Sequence, residues 1–495
     1  MKGSETKMPL VSVVIPAYQV EGYMAQCIGS VAEQTYRNLE IIIVYDACSD
    51  RTLDLCRYWQ SKDNRIKIIE HTERRGLGAA RNAGVKNAQG EFVCFLDADD
   101  WYEPDFVEGL VEAMEGSRAE LASYAGRYNI VDGVKKAFYY LIPGEYIPVS
   151  DRQIFMLRDI HPVWNRMYLK SWLLEQDIWE PELYHYEDWG FQPVVELSAS
   201  RIVVAEGARL NYRVSREGSL SGERLITYMD DWKRAFDYIV DHLSLRGILQ
   251  ENRQCLYYYY RGNRAYNLST AKKTEDAEAI RAIGEMDTYV KEKLGICQKD
   301  VFTHILVWGS ENVRRCAERV LMTDGRPEYL GSRGLVGTMD VLDKIRSVDK
   351  KTLLILDFME EQKAVSHAGA EKFLKDWKQQ CEVLIRLLKD KKDIIKTVLV
   401  SNRLSLEYGS MWQKETYGNV NLLTQMNGQI AALEAYFRGT CEESQVPILT
   451  ITPSASHCFT DGAMGERMSP EHANSFLYAG VGLSVFTAVL ETDWV

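Results

Sequence analysis

Four apolar runs separated by helical stretches open this chain, and that alternation constrains its fold more than any other feature. "VSVVIPAY" from Val11 is β-branched and apolar up to Pro16. "LEIIIVYD" from Leu39, "RIKIIEH" from Arg65 and "EFVCFLD" from Glu91 follow at regular intervals. Between them, "YMAQCIGSVAEQT" sets Met24, Cys27, Ile28 and Val31 at helical spacing, "TLDLCRYWQSK" sets Leu53, Cys56 and Arg57 likewise, and "GAARNAGVKNAQG" is a helix closed by Gly90. A βαβαβαβ series of this kind predicts an α/β domain on a largely parallel sheet. Such sheets bind ligands beyond the carboxyl ends of their strands, at a topological switch point. Two of these strands end in acids, Asp46 and Asp97, so both aim at one crevice.

Further along, "PDFVEGLVEAM" predicts a helix with Pro104 in its first turn and Val107, Leu110, Val111 and Met114 on one face. From about Arg224 to Ile296 strand signal is sparse, and "RLITYMDDWKRAFDYIVDHLSL" and "CLYYYYRGNRAYNLSTAKK" predict helices of a bridging or acceptor-side module. A second alternation begins at Val301, with "FTHILVWGS", "KTLLILDFME", "IIKTVLVSN" and "VPILTITPS" as apolar strands. The expected division is an α/β domain over 8–223, a helical segment over 224–300 and a second α/β domain over 301–495.

Charge narrows the partners. A net charge of −12 argues against nucleic acid, because phosphate-backbone binding rests on clustered Lys and Arg. The ten cysteines form no C-x-x-C pair and no short-spaced metal pattern, which fits a reducing compartment. "MKGSETKMPL" has no apolar core of a secretory signal, and the longest apolar stretch, "YAGVGLSVFTAVL", is 13 residues where a spanning helix needs about 20. A soluble, cytoplasmic protein is expected, and peripheral work at the inner face of a membrane remains compatible with it.

"CFLDADDWYEPDF" gathers Asp97, Asp99 and Asp100 directly behind a strand. Capping of the next helix explains one carboxylate, and Asp105 suits the positive end of that helix dipole. Three unpaired carboxylates packed together raise one another's pKa unless a cation neutralises them. A hard divalent ion with oxygen ligands, Mn²⁺ or Mg²⁺, does so and keeps open positions for substrate phosphates.

Taken together, "VSVVIPAYQVEGYMAQCIGSVAEQTYRNLEIIIVYDACSDRT" and "GLGAARNAGVKNAQGEFVCFLDADDWYEPDF" resemble the family-2 glycosyltransferases of the GT-A (Rossmann-like) fold, over roughly Pro9 to Ser221. The resemblance implies that Pro16, Ala17 and Tyr18 wall the nucleotide base and that Asp46 hydrogen-bonds it, most often a uracil. Arg81 would position the acidic motif and the nucleotide, and Asp97-Ala98-Asp99 would be the D-x-D motif contacting ribose and metal-bound diphosphate. Where the family usually has "VDDGSTD", this chain has "VYDACSD", with Tyr45, Ala47 and Cys48 as departures; Asp46 survives.

Inverting transfer needs a carboxylate that removes the acceptor hydroxyl's proton. "YHYEDWGFQPVVEL" supplies Glu187 and Asp188, which alone would read as an acidic first turn of a helix. Their similarity to the family's "ED" motif implies that Asp188 is the base, with Glu187 the alternative. "HPVWNRMYLKSWL" is similar to a family segment in which Trp164 and Asn165 would line the acceptor or donor-sugar side. In "YRVSREGSLS", Arg213, or else Arg216, would be a cation over the diphosphate. The implied activity is a metal-dependent, inverting transfer from a nucleotide diphosphate-sugar, UDP-sugar foremost, to a carbohydrate, lipid-linked or other hydroxyl acceptor in bacterial surface polysaccharide or glycoconjugate synthesis.

The C-terminal third faintly resembles SGNH-like hydrolase or acyltransferase domains. Ser310 would then be a nucleophile and His472 its base, with His457 competing; both Ser310 and His472 also read as ordinary helix-capping residues. The alternative function is an SGNH-type esterase or O-acyltransferase acting on carbohydrate, with the first domain as a sugar- or nucleotide-binding module.

Overall fold

The computed structural model describes residues 8–141, 143–158, 161–214, 225–296, 304–308, 328–331, 339–349, 352–356, 370–400 and 420–451. The chain divides into two compact units, Met1–Leu294 and Gly295–Val495.

The first unit begins with the expected alternation: β1 (Val11–Ala17), α1 (Met24–Ala32), β2 (Leu39–Asp46), α2 (Thr52–Gln60), β3 (Ile66–His71), α3 (Leu77–Asn87) and β4 (Phe92–Phe95). Strand order β3-β2-β1-β4 is parallel throughout, and β1 is buried along its whole length. The chain continues through β5 (Trp101–Tyr102), α4 (Phe106–Ser117), β6 (Leu121–Val131), β7 (Val134–Tyr139), β8 (Gly144–Tyr146), α5 (Val149–Arg158), β9 (Arg166–Leu169), α6 (Lys170–Glu175), α7 (Glu187–Ser198) and β10 (Ile202–Arg213).

Beyond β4 the sheet becomes mixed. β9 runs antiparallel to both β4 and β6, β10 runs parallel to β6, and β5 and β8 lie antiparallel to β10. A parallel neighbour requires a crossover, whereas an antiparallel one needs only a reversal. Asp132 and Gly133, both at positive φ, supply such a reversal between β6 and β7, with Val131 opposite Val134. The parallel sheet expected from the alternation is therefore the first half only.

The predicted faces of α1 and α4 are buried. In α2 the face is rotated from expectation: Thr52 and Cys56 are buried, while Arg57 is exposed and pairs with Glu70 at 3.1 Å. Two glycines of α3 set the site. A Cβ on Gly84 would stand 2.2 Å from Val14 Cγ1, and one on Gly78 would stand 2.4 Å from the Pro181 carbonyl oxygen. Small residues thus bring α3 onto β1 and onto the segment leading to α7.

The predicted helices follow as α8 (Met229–Leu245), α9 (Leu249–Lys273) and α10 (Ala277–Lys293), within the first unit. The second unit comprises β11 (His304–Trp308), β12 (Glu328–Gly331), α11 (Met339–Arg346), β13 (Thr352–Leu356), α12 (Ala370–Asp390), β14 (Ile395–Val400), α13 (Val420–Glu443) and β15 (Ile448–Ile451). Its five strands are all parallel, in the order β12-β11-β13-β14-β15, with Trp377 and Phe437 in the core they share with the helices. The four strands predicted there form, and β12 is an addition. Among the described residues no helix is long and apolar enough to cross a membrane.

Candidate active site

An open cavity of about 600 Å³ lies beyond the carboxyl ends of β1, β2 and β4, where an α/β sheet places ligands. Pro16, Ala17 and Tyr18 wall it from the end of β1, Asp46 from the end of β2, and Asp97, Ala98 and Asp99 from the turn after β4. Parallel register makes this convergence: Pro16 pairs with Val44 and Val14 with Phe95, so the three strand ends come level.

Asp46 is 3% exposed yet lines the cavity. Its Oδ1 accepts the Arg75 N–H at 2.9 Å and contacts His71 Nδ1 at 2.8 Å, while Oδ2 accepts the Gly76 N–H at 2.9 Å. A carboxylate offers about four acceptor sites, so three partners leave room for one ligand N–H. His71 was not singled out in the sequence, although it ends β3 in register with Asp46.

The other acids converge on Arg81, which is 2% exposed. Its guanidinium reaches Asp97 at 2.7 Å, Glu180 at 3.0 Å and Glu187 at 3.4 Å. Burial alone would lower the Arg81 pKa; Glu180, Asp97 and Glu187 outweigh it and hold the side chain charged. One cation cannot neutralise them all. Burial pushes the Glu180 carboxyl up to about 7 against the pull of Arg81, and burial plus the Asp188 charge pushes Glu187 well above the usual range. Asp188 is raised too, by burial first, with Arg81 and its bond from the Trp189 N–H opposing. Of the pair, Glu187 is buried and tied to Arg81, whereas Asp188 is partly exposed. Glu180 escaped the sequence reading because its partner lies 99 residues away.

The acidic turn offsets part of its charge through protein partners. Arg81 takes Asp97 Oδ1. Asp100 is 1% exposed; its Oδ1 accepts the Arg213 N–H at 2.8 Å and its Oδ2 is buried without a partner. Burial, reinforced by Asp99 and Asp97, pushes its carboxyl well above the usual carboxylate range. Among the described residues no group of three or more His, Cys, Asp or Glu is arranged to hold a metal. What faces the cavity is a two-carboxylate set, Asp97 and Asp99, which fits an ion that completes its shell with water and substrate phosphate.

Arg213 does not line the cavity. Its Nε donates to the Asp99 carbonyl at 3.1 Å and its Nη2 to Gln26 at 3.0 Å, with the Tyr23 and Trp101 rings each 4.9 Å away. It braces the acidic turn from behind. Arg74 lines the cavity instead, within cation–π range of Tyr18 at 4.3 Å and of Tyr184 at 5.3 Å. Asn165 is fully buried and donates to the carbonyls of Tyr124 and Gly126 and to the Tyr140 hydroxyl, pinning β9 to β6. Trp164 stacks on Tyr212 at 5.3 Å, and Tyr212 lines the cavity. Arg216, Ser310, His457 and His472 lie outside the described residues.

Residues 12–173 match the family model described as Glycosyl transferase family 2. The glycosyltransferase GlyA of Streptococcus pneumoniae serotype 4 is 32% identical over 49% of this chain and 35% of its own length. GlyG of the same organism, also named a glycosyltransferase, is 30% identical over 29% of this chain and 48% of its own. The chain therefore spans about a third to a half of these two relatives. Residues 1–349 of S. aureus TarS, solved in complex with UDP-GlcNAc, align with a TM-score of 0.49 at 22% identity, over 59% of this chain and 84% of that one.

Proposed function

We propose that the first unit, whose residues 12–173 match the family model described as Glycosyl transferase family 2, moves a sugar from a nucleotide diphosphate-sugar, a UDP-sugar foremost, to a hydroxyl acceptor with inversion at the anomeric carbon. The acceptor class proposed is a carbohydrate or lipid-linked precursor of a surface polysaccharide or glycoconjugate. One observation carries the reading: Asp46 and the Asp97–Asp99 pair face the same cavity, and Arg81 ties Asp97 to the turn bearing Asp188.

Asp46 accepts an imide N–H of the base while Pro16, Ala17 and Tyr18 wall it. Asp99, with Asp97 beside it, would hold Mn²⁺ or Mg²⁺, which offsets negative charge on the departing diphosphate. Asp188 takes the acceptor hydroxyl's proton; a carboxyl raised by burial is a stronger base than an exposed one. Arg81 keeps Asp97 and Glu187 in place through its two ends. No observation favours the esterase alternative: the family match falls on the first unit, and the residues named for an ester-cleaving site lie outside the described ones.

The deciding experiment is calorimetry of UDP with the full chain, with Mn²⁺ and with EDTA. Binding that requires Mn²⁺ and vanishes in Asp99→Asn is the expected result. UDP affinity unchanged by EDTA would remove the metal from the scheme, and no UDP binding under either condition would remove the donor.

A further inference from the structure

Tyr186 directly precedes Glu187 and Asp188, and its backbone sits in the left-handed region at φ 62°, ψ 17°. For a bulky residue that conformation is a genuine outlier, costing on the order of 1–3 kcal/mol, and it persists only where surroundings over-determine it. Here the surroundings are α8 and α9. The Tyr186 ring stacks on Trp232 of α8 at 6.0 Å and 26°. Its hydroxyl accepts a 2.9 Å hydrogen bond from Asn267 Nδ2 of α9, and Asn267 is itself 2% exposed. Upstream, Asp231 of α8 accepts the N–H groups of both Tyr184 and His185 at 3.2 Å. Downstream, Tyr259 of α9 donates to the Trp189 carbonyl at 2.7 Å and stacks on the Trp189 ring at 4.7 Å. Gly190 lets α7 come this close: a Cβ there would stand 3.3 Å from the Ala235 Cβ of α8.

The Glu187–Asp188 pair is thus bracketed on both sides by side chains of α8 and α9, none of which lines the cavity. We propose that α8 and α9 are the template that fixes the left-handed turn at Tyr186 and so aims Asp188, with Asn267, Trp232 and Asp231 as positioning residues for the transfer step. The inference rests on the assignment of Asp188 as base. Its physical content is that a turn held against its own preference relaxes once the hold is removed. Displacement of a reacting group by about 1 Å costs roughly 10²-fold in rate without altering a binding site elsewhere.

The test uses the full chain with Mn²⁺ and whichever member of a UDP-sugar panel the wild type turns over fastest, reading release of UDP. Asn267→Leu and Tyr186→Phe each delete the same hydrogen bond from opposite ends. Both are expected to lower kcat by about 10- to 100-fold and to shift the acid limb of its pH profile, while the donor KM and the Kd for UDP stay within about threefold. Asn267→Gln, which keeps an amide donor, should recover most of the rate. Unchanged kcat in both variants overturns the proposal. A parallel fall of kcat and UDP affinity also overturns it, since that marks a merely structural role. Should Asn267→Leu fail to fold, Tyr186→Phe, a one-atom change, decides by the same criteria. Failure of the underlying assignment has a different signature: Asp188→Asn would then turn over as the wild type does.

Discussion

Two acidic regions, one at Asp46 and one around Arg81 that reaches the cavity through Asp97, are stabilised in opposite ways. At one end, Asp46 is met by two backbone N–H groups and the His71 imidazole. At the other end, Asp97, Glu180, Glu187 and Asp188 crowd around one guanidinium. Hydrogen bonds from dipoles orient a carboxylate for recognition, whereas excess buried charge pushes protons onto the group and raises its basicity. Under the proposed function, identical side chains would serve as a reader of a ligand N–H at one end and a proton acceptor at the other.

The sharpest way to break this contrast is Asp188→Asn. Transfer should fall by about 10²- to 10⁴-fold with UDP affinity retained, as removal of a general base does; a rate assay beside calorimetry checks it. Next comes Arg81→Met, which strands the buried Glu180 and Glu187 along with the half-buried Asp97. Removing one partner of a buried ion pair costs about 3–5 kcal/mol, so urea melts of the full chain should show a large loss for the first unit. Arg81→Lys should not restore it, because a single ammonium cannot bridge positions that a planar fork spans.

Glu180 gives the crowded end a pH signature. Its folded carboxyl titrates at about 7 against an ordinary 4.5, so between those values the folded chain binds the proton more tightly than the unfolded chain. Stability from this group is full below pH 4.5, is lost as pH rises towards 7, and is level above that, a fall of at most about 3 kcal/mol. Glu180→Gln should flatten that slope in urea melts taken from pH 4.5 to 7.5. The smallest effect expected is at the reading end: Asp46→Asn leaves an N–H donor facing an amide N–H, and UDP affinity should fall by about 1–3 kcal/mol with kcat nearly unchanged.

Much of the scaffold was legible because side-chain period reports local burial. The apolar runs of β1, β2 and β4 could not be exposed, so Asp46 and Asp97 had to emerge together at their ends. Turn chemistry was equally readable in principle: the Asp132-Gly133 pair marks the hairpin that breaks the parallel pattern, and it went unread. The roles of Arg213 and Asn165 were not legible. Both sit in segments that suggest ligand contact, and both are consumed by distant backbone carbonyls, Arg213 by that of Asp99 in the acidic turn and Asn165 by those of Tyr124 and Gly126 in β6.

The alternation of the first four strands with helices, the acids at their tips and the helical character of the segment after β10 were determined by the sequence alone, since each follows from spacing within a dozen residues. Only the tertiary structure decided that Arg81 serves three acids, that Asp100 is sealed from solvent, and that α8 and α9 grip the turn before Asp188. Those outcomes depend on residues from 16 to 113 positions apart being brought within hydrogen-bonding distance. A group's protonation state is set by that enclosure and not by its neighbours in the chain.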